Sequence, residues 1–369
     1  MFRFIKILLL STVGLVACLA LAITAYVNLA PIFGGDAEGS GNAKIAASPH
    51  YDRGRFANLV PTEVMTEGDV DPDRSTVDFF FPPDGKRPTG PIPSRVFSGR
   101  ALTNGNAVWL GHSTFLFRTA DRAVLVDPVF FEASPIPFSV KAYDLQHTVV
   151  IDDLPPLDAV LISHDHYDHL DYRAIVALDR KVGQFLVPLG VGAHLARWGI
   201  DARKVIEFDW YEHHDMGETR FTFTPSRHFS GRGLTNRNTT LWGGWAVRSP
   251  DHNLYYSGDS GYFDEFAEIG RRLGPFDMAF MENGAYDPTW AEIHMTPENS
   301  VRASVELGAA AFFPVHWGRF DLAYHPWDEP IRRAARAAES EGVKIATPLI
   351  GEVFALDDPP QRSWWEDVP

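Results

Sequence analysis

This sequence predicts a mixed α/β (α+β) domain behind an N-terminal membrane segment, on three observations. Short β-type runs alternate with helical stretches from Ala107 onward. Several of those runs stop abruptly at a histidine or an aspartate. A long apolar stretch without a single charge precedes all of them. With 369 residues, 45% of them apolar and 13% aromatic, the chain can fill a sizeable core, which excludes wholesale disorder, collagen and coiled coil. Acidic residues outnumber basic ones, 48 to 33, and the formal charge of −15 argues against a nucleic-acid partner. The one cysteine, Cys18, forbids an intramolecular disulfide and a thiolate metal site, so any metal falls to histidines and carboxylates.

The apolar stretch, residues 7–27, is long enough to cross a bilayer: at about 1.5 Å per helical residue it spans roughly 31 Å. Arg3 and Lys6 precede it and no further basic residue occurs until Lys44. That asymmetry predicts a cytoplasmic N-terminus and a main domain on the periplasmic or extracellular side of the cytoplasmic membrane. Two processing signals compete with a retained anchor. Leu15-Val16-Ala17-Cys18 reads as a lipoprotein box with Cys18 lipidated, and Ala20-Leu21-Ala22 as a signal-peptidase site. The apolar run continues past both, which favours the retained single-pass anchor, residues 1–28.

Residues 29–95 are rich in Gly, Pro, Asp and Ser, with turn chemistry at Pro82-Pro83-Asp84-Gly85. They read as a tether and an irregular arm, parts of which pack through Tyr51, Phe56, Phe79, Phe80 and Phe81. The domain proper is placed at 96–356 and a partly ordered tail at 357–369. Within the domain, strands are predicted over 107–118, 122–126, 159–162, 220–224, 241–247, 254–256, 278–281 and 310–315. Helices are predicted over 172–178, 191–198, 263–273, 297–307 and 330–340; Thr296 as N-cap and Pro297 at the first position mark one start.

The strand ends carry the chemistry. Residues 159–162 run into His164-X-His166-X-Asp168-His169, four ligand-type side chains within six positions. Residues at i and i+2 of an extended segment point the same way, so His164 and His166 share a side while Asp168 and His169 turn toward a second position. His228, Asp259 and His316 each follow a further strand. Neutral imidazole with carboxylate suits Zn2+.

This pattern resembles the metallo-β-lactamase-fold hydrolases, an αβ/βα sandwich with two metals at one edge. The resemblance covers about residues 100–350. It assigns His164, His166 and His228 to one zinc, Asp168, His169 and His316 to the other, and Asp259 to a bridge. Within that superfamily, Trp109-Leu110-Gly111-His112-Ser113-Thr114, SHDHYDHLD at 163–171, Tyr256-Ser257-Gly258-Asp259-Ser260 and Val315-His316-Trp317-Gly318 look like the N-acylphosphatidylethanolamine-hydrolysing phospholipase D group. HYDRGRFANL at 50–59 resembles the arm that precedes the domain there. The implied activity is hydrolysis of a phosphodiester, with a phospholipid as partner and two Zn2+ per chain. The membrane segment departs from that group's soluble or peripheral form. The reading allows a homodimer.

Other residues have less specific settings. Asp127, in Leu125-Val126-Asp127-Pro128, is either a support for a ligand histidine or a turn-starting aspartate. His112 is either such a support or a buried, satisfied histidine. His294, just before the helix at 297, matches a histidine near the substrate phosphate in the resembling group; the alternative is a surface histidine. Asp168 and His294 are the candidates for moving the leaving-group proton. His147, His194, His213, His214, His252 and His325 read as structural or exposed, and Trp242, Trp245 and Trp317 as core. A lactonase or other hydrolase on the same site is the alternative function, and a non-catalytic metal-binding module is the third.

Overall fold

The computed structural model describes residues 2–37, 41–68, 75, 77–78, 83–136 and 139–368. Phe79, Phe80, Phe81 and Pro82 lie outside the described residues. Helix α1 (Phe2–Leu29) leads through the short α2 (Ala43–Ala47) and the hairpin β1 (Tyr51–Asp52) and β2 (Arg55–Phe56) into the domain. One seven-stranded sheet contains β3 (Asn106–Gly111), β4 (Thr114–Thr119), β5 (Arg122–Val126), β6 (Leu157–Leu161), β7 (Val182–Pro188) and β8 (Val205–Phe208), with β16 (Val353–Ala355) beside β3. The other contains β9 (His213–Met216), β10 (Thr219–Thr224), β11 (Gly244–Arg248), β12 (Asn253–Tyr256), β13 (Met278–Glu282), β14 (Ala311–Val315) and β15 (Lys344–Ile345), in that spatial order.

The central strands of both sheets are buried on both faces, which is why strands such as β6 and β13 read as unbroken apolar runs. Alternate residues go to opposite layers. Trp109, Phe115, Val124 and Leu161 point inward to meet Phe223, Trp245, Tyr256, Phe280 and Phe313 of the facing sheet. Phe115 and Phe280 stack across that layer, ring centroids 4.1 Å apart and nearly parallel. Val108, Leu116 and Val160 point outward under α3 (Tyr172–Leu178) and α4 (Gly192–Arg197). Tyr255, Ala279 and Phe312 lie under α5 (Glu265–Leu273), α6 (Pro297–Glu306) and α7 (Glu329–Glu341). The result is the four-layer αβ/βα sandwich.

β5 through β8 are mutually parallel, as are β12 through β15. Parallel neighbours end on the same side, so the loops after β5, β6, β12, β13 and β14 gather at one edge.

Several elements differ from the sequence reading. The run 107–118 is a hairpin, β3 and β4, because Gly111 and His112 take left-handed conformations, φ 98° and 54°, and reverse the chain. Residues 241–243 are loop, and β11 starts at Gly244. β7, β8, β9, β15 and β16 went unrecognised. β7 carries Gly183 near its start and Pro188 at its end, which broke the pattern, and the others are short. The C-terminal segment is not loose: Trp364 and Trp365 are both buried, and Trp364 stacks on Trp317 at 5.4 Å. In the arm, Phe56 is buried and pairs with Tyr51 at 4.8 Å.

Candidate metal centre

Four chain segments converge at the sheet edge. The loop after β6 begins at Ser163, whose amide donates to Asp127 Oδ1 (2.8 Å) at the end of β5. That loop delivers His164 and His166 to one side: His164 Nε2 and His228 Nε2 lie 2.9 and 3.2 Å from His166 Nδ1. Asp165, between them, turns the other way and takes hydrogen bonds from the Gly231 amide (2.7 Å) and Thr240 Oγ1 (3.0 Å), fixing the loop. His169 and His316 form a second group with Asp168: His316 Nε2 is 3.3 Å and His169 Nε2 3.6 Å from Asp168 Oδ2. Asp259 reaches both groups. Its Oδ2 is 3.1 Å from His169 Nε2, 3.0 Å from His316 Nε2, and 3.9 Å from both His164 Nε2 and His228 Nε2. Gly258 lets Asp259 in so close: at φ 60° a Cβ there would sit 2.4 Å from the Gly243 carbonyl oxygen.

The ligand-type side chains are held from behind. Asp127 accepts from Ser163 Oγ (2.5 Å) and Tyr256 OH (2.5 Å) as well as the Ser163 amide, and lies 2.7 Å from His169 Nδ1. That contact puts the His169 proton on Nδ1 and leaves Nε2 for the centre. The Ile293 carbonyl does the same for His228 Nδ1 at 2.9 Å. His112 Nε2 lies 3.1 Å from Asp168 Oδ2, and its ring packs 4.1 Å from that of His316. Its backbone amide donates to the Trp317 carbonyl and its carbonyl accepts from the His316 amide, both at 3.1 Å. Asp127, His112 and His316 all have positive φ, strain gathered at one place.

The donor set fits a metal. Asp259 Oδ1 is buried without a hydrogen-bond partner, and His169 Nε2 and His316 Nε2, though close to Asp259 Oδ2, are not aligned to bond it. Burial pushes His164 and His228 well below the usual histidine range, so both are neutral, the form that ligates. Burial opposes charge on His169 and His316 too, but there the Asp259 and Asp168 carboxylates win: His169 rises well above its ordinary value and His316 rises to about 10. Burial works in the opposite sense on Asp168 and Asp259, and the His169 imidazole beside them holds both well below the carboxylate range. Two desolvated carboxylates thus demand positive charge, and a divalent cation supplies it better than protonated rings.

A cavity of about 280 Å3 opens over this cluster. His166, Asp168, Asp259, His294 and His316 give it a polar floor; Val64, Met65, Phe229, Trp290, Ile293 and Leu322 give it apolar walls. His294 stands at the cavity with Nδ1 2.6 Å from Glu282 Oε1, so the surface alternative does not hold. Glu282 itself was missed in the sequence. It ends β13 as the other polar groups end their strands, and that signal was available. The seven other histidines stay apart from the cluster; His194, for instance, is buried against Asp165 and accepts from the Gly35 amide. Trp242, Trp245 and Trp317 are core.

A family model for the β-lactamase superfamily domain matches residues 122–317. The chain is 41% identical over 328 residues to an uncharacterized protein of Mycobacterium tuberculosis, covering 86% of this chain and 87% of the relative. It is 35% identical over 270 residues to N-acyl-phosphatidylethanolamine-hydrolyzing phospholipase D 1 of Caenorhabditis elegans, covering 68% and 76%. Among solved structures, a metallo hydrolase from the archaeon Ignicoccus hospitalis superposes with a TM-score of 0.51 at 20% identity, over 68% of this chain and 97% of that one. With that model match and those relatives, the chain belongs to the β-lactamase superfamily and has the fold of its metal-dependent hydrolases.

Proposed function

We propose that this chain is a membrane-anchored hydrolase that holds two zinc ions and cleaves a phosphodiester of a phospholipid, as its phospholipase D relative is named for doing. The cavity carries the reading. An imidazole and carboxylate floor suits metal and phosphate, and the apolar wall residues suit acyl chains. His164, His166 and His228 hold one zinc; Asp168, His169 and His316 hold the other; Asp259 lies between. Zinc, when bound, supplies Lewis acidity toward the phosphoryl oxygens and a nucleophile at neutral pH. Asp127 and His112 hold His169 and Asp168 in place. Glu282 fixes His294 through Nδ1, leaving Nε2 to position the phosphate and deliver a proton to the departing alkoxide oxygen.

Helix α1 serves as the anchor. It is exposed along its length, with a mean hydropathy of 2.5 over its most apolar window. Arg3 and Lys6 keep its N-terminus in the cytoplasm and leave the domain on the other side. A reporter fused to the C-terminus should be active only beyond the cytoplasmic membrane.

The deciding experiment incubates the full-length, zinc-loaded protein in detergent with a panel of phospholipids and identifies products by mass spectrometry. Release of phosphatidate and the head-group alcohol is expected. Turnover of lactones with no phosphodiester cleaved would transfer the assignment to a lactonase.

A further inference from the structure

The junction between α1 and the domain is built rather than loose. At the helix end, Arg197 Nη2 donates to the carbonyls of Asn28 (2.9 Å) and Leu29 (3.3 Å), capping orphan acceptors with a cation. Trp198 Nε1 donates to the Pro31 carbonyl at 2.7 Å. Tyr26 OH donates to the Pro135 carbonyl at 2.6 Å, so the loop around 133–136 lies against the helix's last turn. Phe33 meets Tyr26 and Tyr167 edge to face, at 5.4 and 6.4 Å.

Arg232 completes the junction. Its side chain is buried, and its Nε and Nη2 donate to the Ile32 carbonyl at 3.0 and 2.7 Å. From the other end of the same guanidinium, Nη1 donates to the carbonyls of Asp165 (2.6 Å) and Leu170 (2.8 Å). Those two carbonyls bracket the loop that carries His166, Asp168 and His169. One side chain therefore clamps the helix exit to the candidate metal loop.

Exposed apolar side chains lie close along the chain to the residues that make this junction. Ile136 (64% exposed) follows Pro135, the partner of Tyr26, and Leu234 (81% exposed) lies two residues past Arg232. Phe131 (44% exposed) stands over Arg173 at 4.3 Å in the same loop as Pro135. Single exposed apolar residues are ordinary, but these sit where a membrane helix enters the domain, beside aromatic and arginine side chains suited to a lipid interface.

We propose that this face, Phe131, Ile136 and Leu234 around the α1 exit, docks on the surface of the bilayer that α1 crosses. The inference rests on the reading of α1 as a membrane anchor. Helix α1 supplies the attachment, its rigid junction sets the orientation, and the three apolar side chains sink into the interfacial layer. The loop that carries His166, Asp168 and His169 is then tied to the docked junction through Arg232.

The test uses the full chain in vesicles of phosphatidylethanolamine and phosphatidylglycerol, with spin labels read for collision with lipid-soluble oxygen and with a water-soluble nickel chelate. The native Cys18, exposed within α1, reports the anchor. In a Cys18→Ser background, Ile136→Cys and Leu234→Cys report the docking face. Val305→Cys, on α6 over the other sheet and 46% exposed, is the aqueous control. The oxygen-to-nickel ratio at 136 and 234 should exceed that at 305 several-fold and stay below that at 18, which lies near the middle of the span. A lipid-embedded position 18 with water-exposed 136 and 234 overturns the docking face and leaves the anchor standing. A water-exposed position 18 overturns both.

Discussion

The Glu282 carboxylate and the His294 imidazole are locked together, Oε1 to Nδ1 at 2.6 Å, at the wall of the cavity. Glu282 is fully buried, and its other oxygen accepts from the Ser260 amide (3.1 Å) and the Met295 amide (3.4 Å). Burial raises the Glu282 carboxyl and the neighbouring His294 draws it back. The pair therefore fixes which ring nitrogen faces a ligand.

His294→Ala should retain both zinc ions and lower phosphodiester turnover by roughly 10²-fold or more. Glu282→Gln keeps the backbone hydrogen bonds but loses the charge behind the ring. It should lower kcat by less than His294→Ala does, with KM little changed. Full activity in both variants, measured at saturating zinc, would remove the pair from the mechanism.

Metal content gives a second check. Elemental analysis should find two zinc ions per chain, with His228→Ala losing mainly one and His316→Ala mainly the other. Chelation should also lower Tm. A ligand held at 100 times its Kd stabilises the fold by about 2.7 kcal/mol, and that contribution disappears with the ion. One metal per chain at saturation would contradict the two-ion assignment.

Asp127→Asn leaves the volume unchanged and removes the charge that holds His169 Nδ1, Ser163 Oγ and Tyr256 OH. Zinc affinity should fall about 10- to 100-fold, the usual cost of losing such a support. Competition with a fluorescent chelator measures this without any substrate.

The two sheets are joined by packing, so Phe115→Ala should destabilise the whole sandwich. The ring is buried and stacked on Phe280. Truncation should cost about 3–5 kcal/mol in chemical denaturation, through lost burial and a cavity between the sheets. A loss near zero would mean that the layer collapses to fill the space.

His164, His166, Asp168 and His169 were legible because their relationship is local. Residues two apart in an extended segment must share a side, and no distant part of the chain can alter that. His228, Asp259 and His316 were legible as strand ends, since apolar runs that stop at ligand residues report a common edge before the edge itself is known. The reversal at Gly111 and His112 was not legible, because an apolar run carries no mark of a positive φ held by the Trp317 carbonyl far along the chain. Nor was the pairing of Glu282 with His294, the contact of His112 with Asp168, or the burial of Trp364 on Trp317. Each joins residues whose separation is set by how sheets stack and loops close, and sequence spacing says nothing about that. The sequence by itself determined which side chains end the strands; tertiary packing decided which of them face one another.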